Sequence, residues 1–216
     1  MGPLWALALR DAAAATAPGV VLRFDTRTLP EDTVERLREG LLDLAVDWLP
    51  IGSESCVNRR LFDDGVALVS RKGHPRARQG MDLDALRREQ FVRCHRRRVN
   101  GAVQLIVPEL WDIGLDVRLV VSEYLEVPFV VAETDLLGVI PASMTAMVQH
   151  DFRLQVIALP MKTRPVPIYL VWHEARRRDA GHQWLRKLVA ATLPRGATAV
   201  AADMSPCRLR LDQPPS

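Results

Sequence analysis

Five histidines and three cysteines are the side chains with which metal or redox chemistry would begin in this 216-residue chain. The histidines are His74, His95, His150, His173 and His182; the cysteines are Cys56, Cys94 and Cys207. Two histidines one helical turn apart beside a glutamate would bind zinc, but Glu174 follows His173 and position 177 is arginine. No other His or Cys spacing matches a zinc site, so no metal is expected. Three widely spaced cysteines argue against a disulfide framework and fit a reducing cytoplasm. Nucleophile and cofactor motifs are missing as well. There is no Gly-x-Ser-x-Gly elbow, no phosphate-cradling glycine loop and no GxGxxG among the 12 glycines, so neither a cofactor nor an enzyme is expected. Glu123, Glu126, Glu133 and Asp135 are the material for an acid–base pair. In an extended chain, however, neighbouring side chains alternate between faces, and such carboxylates are usually solvated.

The polar residues that remain interesting interrupt an apolar stretch, residues 120–144 (VVSEYLEVPFVVAETDLLGVIPASM). Ser122–Glu123–Tyr124 and Thr134–Asp135 break it. Its apolar segments are expected to hold a sheet together while the polar breaks face something small. Two basic runs, Arg96–Arg97–Arg98 and Arg176–Arg177–Arg178, carry no interleaved aromatics and no recognition helix, so they read as solvated loops rather than as a nucleic-acid surface. The net charge of +3 is only a small excess and says little about nucleic acid.

The elements that must position these residues follow from composition and pattern. Hydrophobic content of 48% and charge of 25% are ordinary for a folded domain, and the length suits one large domain or two small ones sharing a core. No apolar run approaches the roughly 20 residues of a membrane span. Residues 4–9 are apolar, but no basic region precedes them and Arg10–Asp11 interrupt them, which speaks against a signal peptide. Residues 4–17 instead read as a helix stopped by Pro18–Gly19. Residues 20–24 (VVLRF) read as a strand. Pro30, Glu31 and Asp32 open a second helix that Gly40 ends. Strands follow at 42–46, 61–62 with 65–70, 91–94 and 117–121, with a short helix capped by Asp82 and a basic loop at 95–98. Residues 101–111 read as a helix whose end Pro108 weakens. Pro141 opens a further helix. Strands at 154–159 and 166–172 precede an amphipathic helix over 181–193, with Trp184, Leu185, Leu188 and Val189 on one face. Residues 194–216 read as a tail. Alternating strands and helices imply an α/β fold with mainly parallel sheets.

Five fragments in order then resemble one family. Gly40–Leu41–Leu42–Asp43–Leu44–Ala45 followed by Leu49–Pro50 resembles the strand and exit loop of the effector-binding domain of LysR-type transcriptional regulators. Leu61–Phe62, a strand and His74–Pro75 follow at that family's spacing. Val127–Pro128 through Asp135–Leu136 to Ile140–Pro141 resembles its second subdomain, and Trp172–His173 and Trp184–Leu185–Arg186 its closing strand and helix. The resemblance covers residues 4–193 and is nearest to regulators that respond to aromatic compounds and flavonoids. It implies two Rossmann-like subdomains of type-2 periplasmic-binding-protein architecture joined by two crossing strands. Subdomain I would hold residues 1–70 and 166–193, and subdomain II residues 71–165. The family's winged helix-turn-helix has no counterpart in this sequence, and neither does the first strand of its effector domain, so DNA contact is expected only through a head this chain lacks. A homodimer is implied, with the helix at 31–40 packed on a second-subdomain helix of the partner.

Such a protein binds a small-molecule effector between its subdomains, in keeping with the rule that ligands of open α/β sheets lie outside the carboxyl ends of strands. The strand exits would then line the cleft: Thr26, Arg27, Thr28, Asp47, Trp48 and Leu49 from subdomain I, and His95, Arg96, Arg97, Ser122, Tyr124, Thr134 and Asp135 from subdomain II. Hydroxyls orient a ligand, an arginine pairs a carboxylate, and Trp48 and Tyr124 either stack on a ring or pack. An aromatic or carboxylate-bearing effector fits these groups. The alternative is a solute-binding protein of the same architecture serving transport, and a small α/β enzyme is the third reading.

Overall fold

The computed structural model describes residues 2–26, 28–95, 97–99, 102–104 and 108–201. In chain order the helices are α1 (Gly2–Thr16), α2 (Thr33–Arg38), α3 (Leu83–Arg87), α4 (Pro108–Trp111), α5 (Glu126–Glu133), α6 (Thr145–Asp151) and α7 (Ala180–Ala201). The strands are β1 (Ala45–Asp47), β2 (Cys56–Asp64), β3 (Val66–Arg71), β4 (Gln90–Cys94), β5 (Arg97–Val99), β6 (Ala102–Gln104), β7 (Asp116–Val121), β8 (Leu137–Pro141), β9 (Leu154–Ile157) and β10 (Val166–His173).

They form two main sheets. In the first, β10 is central and pairs antiparallel with β1 on one side and β2 on the other. The second runs β7-β4-β8-β3-β9. Within it β4 is parallel to β7 and β8, while β3 is antiparallel to β8 and β9. The chain crosses between the sheets twice, from β2 into β3 through Gly65 and from β9 back to β10. Where a chain crosses in extended conformation, no helix reverses its direction, so antiparallel neighbours are permitted. The expectation of mainly parallel sheets is corrected on that ground.

Period-two burial assigns the faces. From β10, Ile168, Leu170 and Trp172 enter the main core with Trp5 and Leu9 of α1 and Val189 and Leu193 of α7. Val171 turns the other way, onto Leu37 of α2 and Cys56. In the second sheet Leu68, Phe91, Leu137 and Val139 join that same main core, with Leu86 of α3 and Leu110 of α4. Ala67, Val69, Val92 and Ile140 face a separate core closed by Val127 and Val131 of α5 and Val148 of α6. Trp5 meets Phe62 edge-on at 5.9 Å between ring centroids, which ties α1 to β2. Arg186 fastens the start of α7: its guanidinium lies 4.8 Å over the Trp172 ring and donates to the carbonyls of Arg176 and Arg177 at 3.1 Å each.

Local signals account for several ends. Asp82 caps α3 by accepting from the Ala85 N–H at 2.7 Å. Gly40 takes φ 73° just beyond α2, a conformation that L side chains rarely adopt.

Other expectations change. Residues 20–24 belong to no strand among the described residues, and Val20, Val21 and Phe24 are exposed. A β-branched run becomes a strand only where an edge is there to receive it. Of the basic loop expected at 95–98, Arg97 and Arg98 belong to strand β5, which pairs with β6. Of the helix expected over 101–111, residues 102–104 are strand and 108–111 are helix, while 101 and 105–107 lie outside the described residues. Pro108 opens that helix rather than weakening its end, since the first turn needs no N–H from it. The apolar segment after Ser122–Glu123–Tyr124 is helix α5 and not part of the sheet. The tail expected from 194 is helical as far as Ala201, and residues 202–216 lie outside the described residues.

Gly138 of β8 shows how closely α5 sits on the sheet. A Cβ there would lie 2.5 Å from Val127 Cγ1 and 2.9 Å from Val131 Cγ2. Gly138→Ala is expected to destabilise the fold by about 1–3 kcal/mol through overpacking, read as a lower urea midpoint at unchanged slope.

Candidate functional site

The carboxyl ends of β4, β7 and β8 lie along one edge of the second sheet, because β4 runs parallel to both neighbours. Cys94, last in β4, is level with Val121, last in β7. His95, Ser122, Tyr124 and the Pro141–Ser143 segment therefore share that edge. β3 starts there too, since Val66 pairs with Pro141. The exit of β1 reaches the same place from the first sheet. Trp48 lines a recess of about 10 Å³ with Asp64, Gly65, Val66, Pro141, Val166 and Ile168, which is room for about one water molecule. Both crossings and the strand exits of both sheets thus meet at one junction.

On the first-sheet side, Asp47 accepts from the Leu49 N–H at 3.1 Å and so turns the chain after β1. Trp48 is partly buried against the main core, so packing holds most of its ring. Thr26 lies in a broad open groove of about 610 Å³ with Phe24, Asp25 and Arg36. Thr28 donates to Asp25 at 2.7 Å, and Arg36 donates to the same carboxylate at 3.2 Å.

On the second-sheet side, the His95 N–H donates to the Val121 carbonyl at 2.6 Å, which binds the exits of β4 and β7 together. The N–H groups of Ser122 and Glu123 donate to one Glu126 oxygen, at 2.8 and 3.2 Å. That carboxylate, on the first residue of α5, satisfies donors of the turn that precedes the helix. Tyr124 packs on the second core, and burial pushes its phenol well above the usual range. Cys94 donates to the Ser122 carbonyl at 3.4 Å. Burial, with the nearby Glu123 and Glu126 charges adding to it, pushes its thiol up to about 12, so it stays protonated and is a poor nucleophile.

Two expected residues do not belong to this edge. Thr134 and Asp135 leave helix α5 and precede β8, so they sit at the opposite end of the second sheet rather than at a strand exit. There Asp135 pairs with Arg71 at 2.6 Å and its carbonyl accepts from His74 at 2.9 Å, while Thr134 donates to the Val130 carbonyl at 2.7 Å. The mistake followed from reading α5 as part of the sheet. Arg27 and Arg96 lie outside the described residues. Arg97 is placed in β5, opposite Gln104.

Sequence reasoning missed the most buried acid at the junction. Asp64 ends β2 with only 5% of its surface exposed. It accepts from the Gly65 N–H at 2.8 Å, the Ser143 N–H at 3.1 Å and the Ser143 hydroxyl at 2.7 Å. An aspartate before a glycine reads as an ordinary turn, and nothing in sequence links it to a serine 79 positions on. Burial raises its pKa, and these three donors oppose the rise without cancelling it. Among the described residues no group of three or more His, Cys, Asp and Glu could hold a metal ion, and no helix is long and apolar enough to cross a membrane.

The LysR substrate binding domain profile matches residues 1–194. The HTH-type transcriptional regulator SyrM of Rhizobium etli is 31% identical over 172 residues, 78% of this chain and 51% of that protein. The HTH-type transcriptional activator NagR of a Ralstonia species is 30% identical over 184 residues, 83% and 60% of the two chains. The chain thus spans 51–60% of the length of these two curated relatives. The crystal structure of the regulatory domain of MexT, a transcriptional activator in Pseudomonas aeruginosa, superposes with a TM-score of 0.68 at 18% identity, covering 87% of this chain and 90% of that one.

The Asp64 carboxyl makes a prediction about pH. Its folded pKa is raised, so the folded chain holds this proton more tightly than the unfolded chain does. The resulting stabilisation is complete below the ordinary aspartate value of 3.8 and is lost as pH rises through the higher folded value. Asp64→Asn cannot titrate. Urea melts from about pH 3 to about pH 7 should therefore show wild type losing stability relative to Asp64→Asn as pH rises. A constant difference between the two would refute the assignment.

Proposed function

We propose, on the premise that this chain belongs to the LysR substrate binding domain family, that it is the ligand-sensing part of a transcriptional regulator. Its ligand is a small aromatic or carboxylate-bearing effector. One observation carries the reading: strand exits from two sheets meet at a junction crossed twice by extended chain. A ligand held between the exits acts on both sheets, and its differential affinity for two sheet angles shifts their populations. We divide the halves at Gly65, because among the described residues β3 pairs with β8 and β9 alone. Residues before Gly65 and from 166 onward form one half, and residues 66–165 the other.

The lining supports this effector class. Trp48 and Tyr124 are partly buried aromatics at the junction's edge, Ser122 offers a hydroxyl, and His95 stands at the exposed exit of β4, while Thr26 lies in a separate groove. Thr134 and Asp135 have no part in the site as we draw it. The names of the relatives favour regulation over transport and over catalysis. DNA contact belongs to the helix-turn-helix that the relatives' names specify, and the site of action is the cytoplasm.

A thermal-shift screen of aromatic acids and phenolics tests the reading. A ligand of the folded state at about 100 times its Kd adds about 2.7 kcal/mol and raises the melting temperature accordingly. A broad screen without a stabilising compound would sink the effector class.

The working unit is a homodimer. Two exposed apolar surfaces support it: Val20, Val21 and Phe24 on the first half, and Leu119 and Val120 on β7, an edge strand of the second sheet. Gel filtration with light scattering should give a dimer mass for wild type. Leu119→Asp should give a monomer with an unchanged far-ultraviolet circular dichroism spectrum, because the residue is 40% exposed in the single chain. A wild-type monomer at all concentrations would refute the dimer.

A further inference from the structure

The residues that hold the two halves at a fixed angle can be identified. Asp64 is the last residue of β2 and pairs across the sheet with Val166, so it moves with the first sheet. Ser143 lies in the single 3-10 turn, Ala142–Met144, that follows β8, so it moves with the second. Between them run two hydrogen bonds, from the Ser143 N–H and from its hydroxyl, both received by the Asp64 carboxylate. A third bond lies alongside, from the Ala142 N–H to the Gly65 carbonyl at 2.9 Å. Helix α7, which belongs with the first sheet, also packs on this same turn. The hydrogen bonds named at the crossing therefore join four residues, Asp64 and Gly65 to Ala142 and Ser143.

The chemistry of the link is unusual for a merely structural contact. Asp64 is buried, and the three partners given for it are neutral donors, without a cation. Around it the recess is lined by Trp48, Gly65, Val66, Pro141, Val166 and Ile168, none of them titratable. Burial closes this site to water, so losing a Ser143 bond leaves a buried polar group unsatisfied and is costly. A tie of this kind tolerates little rotation: turning one sheet against the other lengthens the Ser143 bonds first.

We infer that Asp64 and Ser143 form a latch that sets the resting angle between the two sheets, and that opening or re-forming it is the step through which effector binding is read. The first part stands on the junction geometry alone. The second rests on the effector-sensing reading above.

Residual dipolar couplings of backbone amides test the latch without any effector. Amides of β2 and β10 report the orientation of the first sheet, and those of β3 and β8 report the second. In wild type one alignment frame should fit both sheets. In Ser143→Ala, which removes the hydroxyl but keeps the N–H, the frames should separate or one sheet should lose order, while couplings within each sheet still fit. Ser143→Thr, which restores a hydroxyl, should return the common frame. Retention of one frame in Ser143→Ala would overturn the latch, even if its melting temperature falls. Should Ser143→Ala fail to fold, the same comparison on Asp64→Asn decides: it keeps the one oxygen, Oδ1, that accepts from the Gly65 and Ser143 N–H groups, but puts an NH2 donor where Oδ2 accepts the Ser143 hydroxyl, and an unchanged frame there again refutes the proposal. Failure of the effector reading shows separately, as a wild-type latch with no stabilising ligand.

Discussion

The register of β10 is the constraint on which the rest depends. Among the described residues this strand alone in the first sheet has neighbours on both sides, and it supplies that sheet's contacts to two cores at once. Ile168, Leu170 and Trp172 face one core and Val171 the other. Because side chains alternate with period two, a slip of one residue would exchange the faces and turn the main core inside out. The pairing with β2 shifts register between Ile168 and Tyr169, and on the junction side of that shift Val166 stands opposite Asp64 and Ile168 opposite Phe62. The position of the acid at the junction thus goes with the packing of Ile168 in the main core.

The two sheets share more than a hinge. Leu68, Phe91 and Leu137 of the second sheet join the same main core as β10 of the first. Apolar burial resists pulling the halves apart, but it is non-directional and leaves their angle weakly specified. Directional bonds are needed to choose one angle, and the junction supplies them through Asp64, Gly65, Ala142 and Ser143. A binding module built this way separates two tasks. Oily contacts keep it whole, and a few polar ones define its shape.

Much of this was legible in the sequence. Elements with a local cause could be read directly: α3 from the Asp82 cap, the end of α2 from Gly40, β10 from its apolar run, and the two-part architecture from five fragments in family order. What failed depended on partners distant in sequence. Residues 20–24 have strand composition, yet no edge among the described residues receives them. Residues 127–132 carry β-branched residues that suit either element, and the room that Gly138 leaves for Val127 and Val131, which seats them as a helix on the sheet, is not visible in the local sequence. Thr134 and Asp135 were misplaced for the same reason. The latch was invisible because a buried acid is recognised by what surrounds it, and Ser143 is 79 residues from Asp64.

The thiol of Cys94 has a further meaning. It stands at the β4 exit, where the proposed ligand would approach, yet its proton is held well above neutrality and its sulfur is engaged with the Ser122 carbonyl. Peroxides attack thiolates far faster than thiols. The sulfur at this edge is thus a weak target for peroxide, and the strand exit can face a ligand without offering it a reactive thiol.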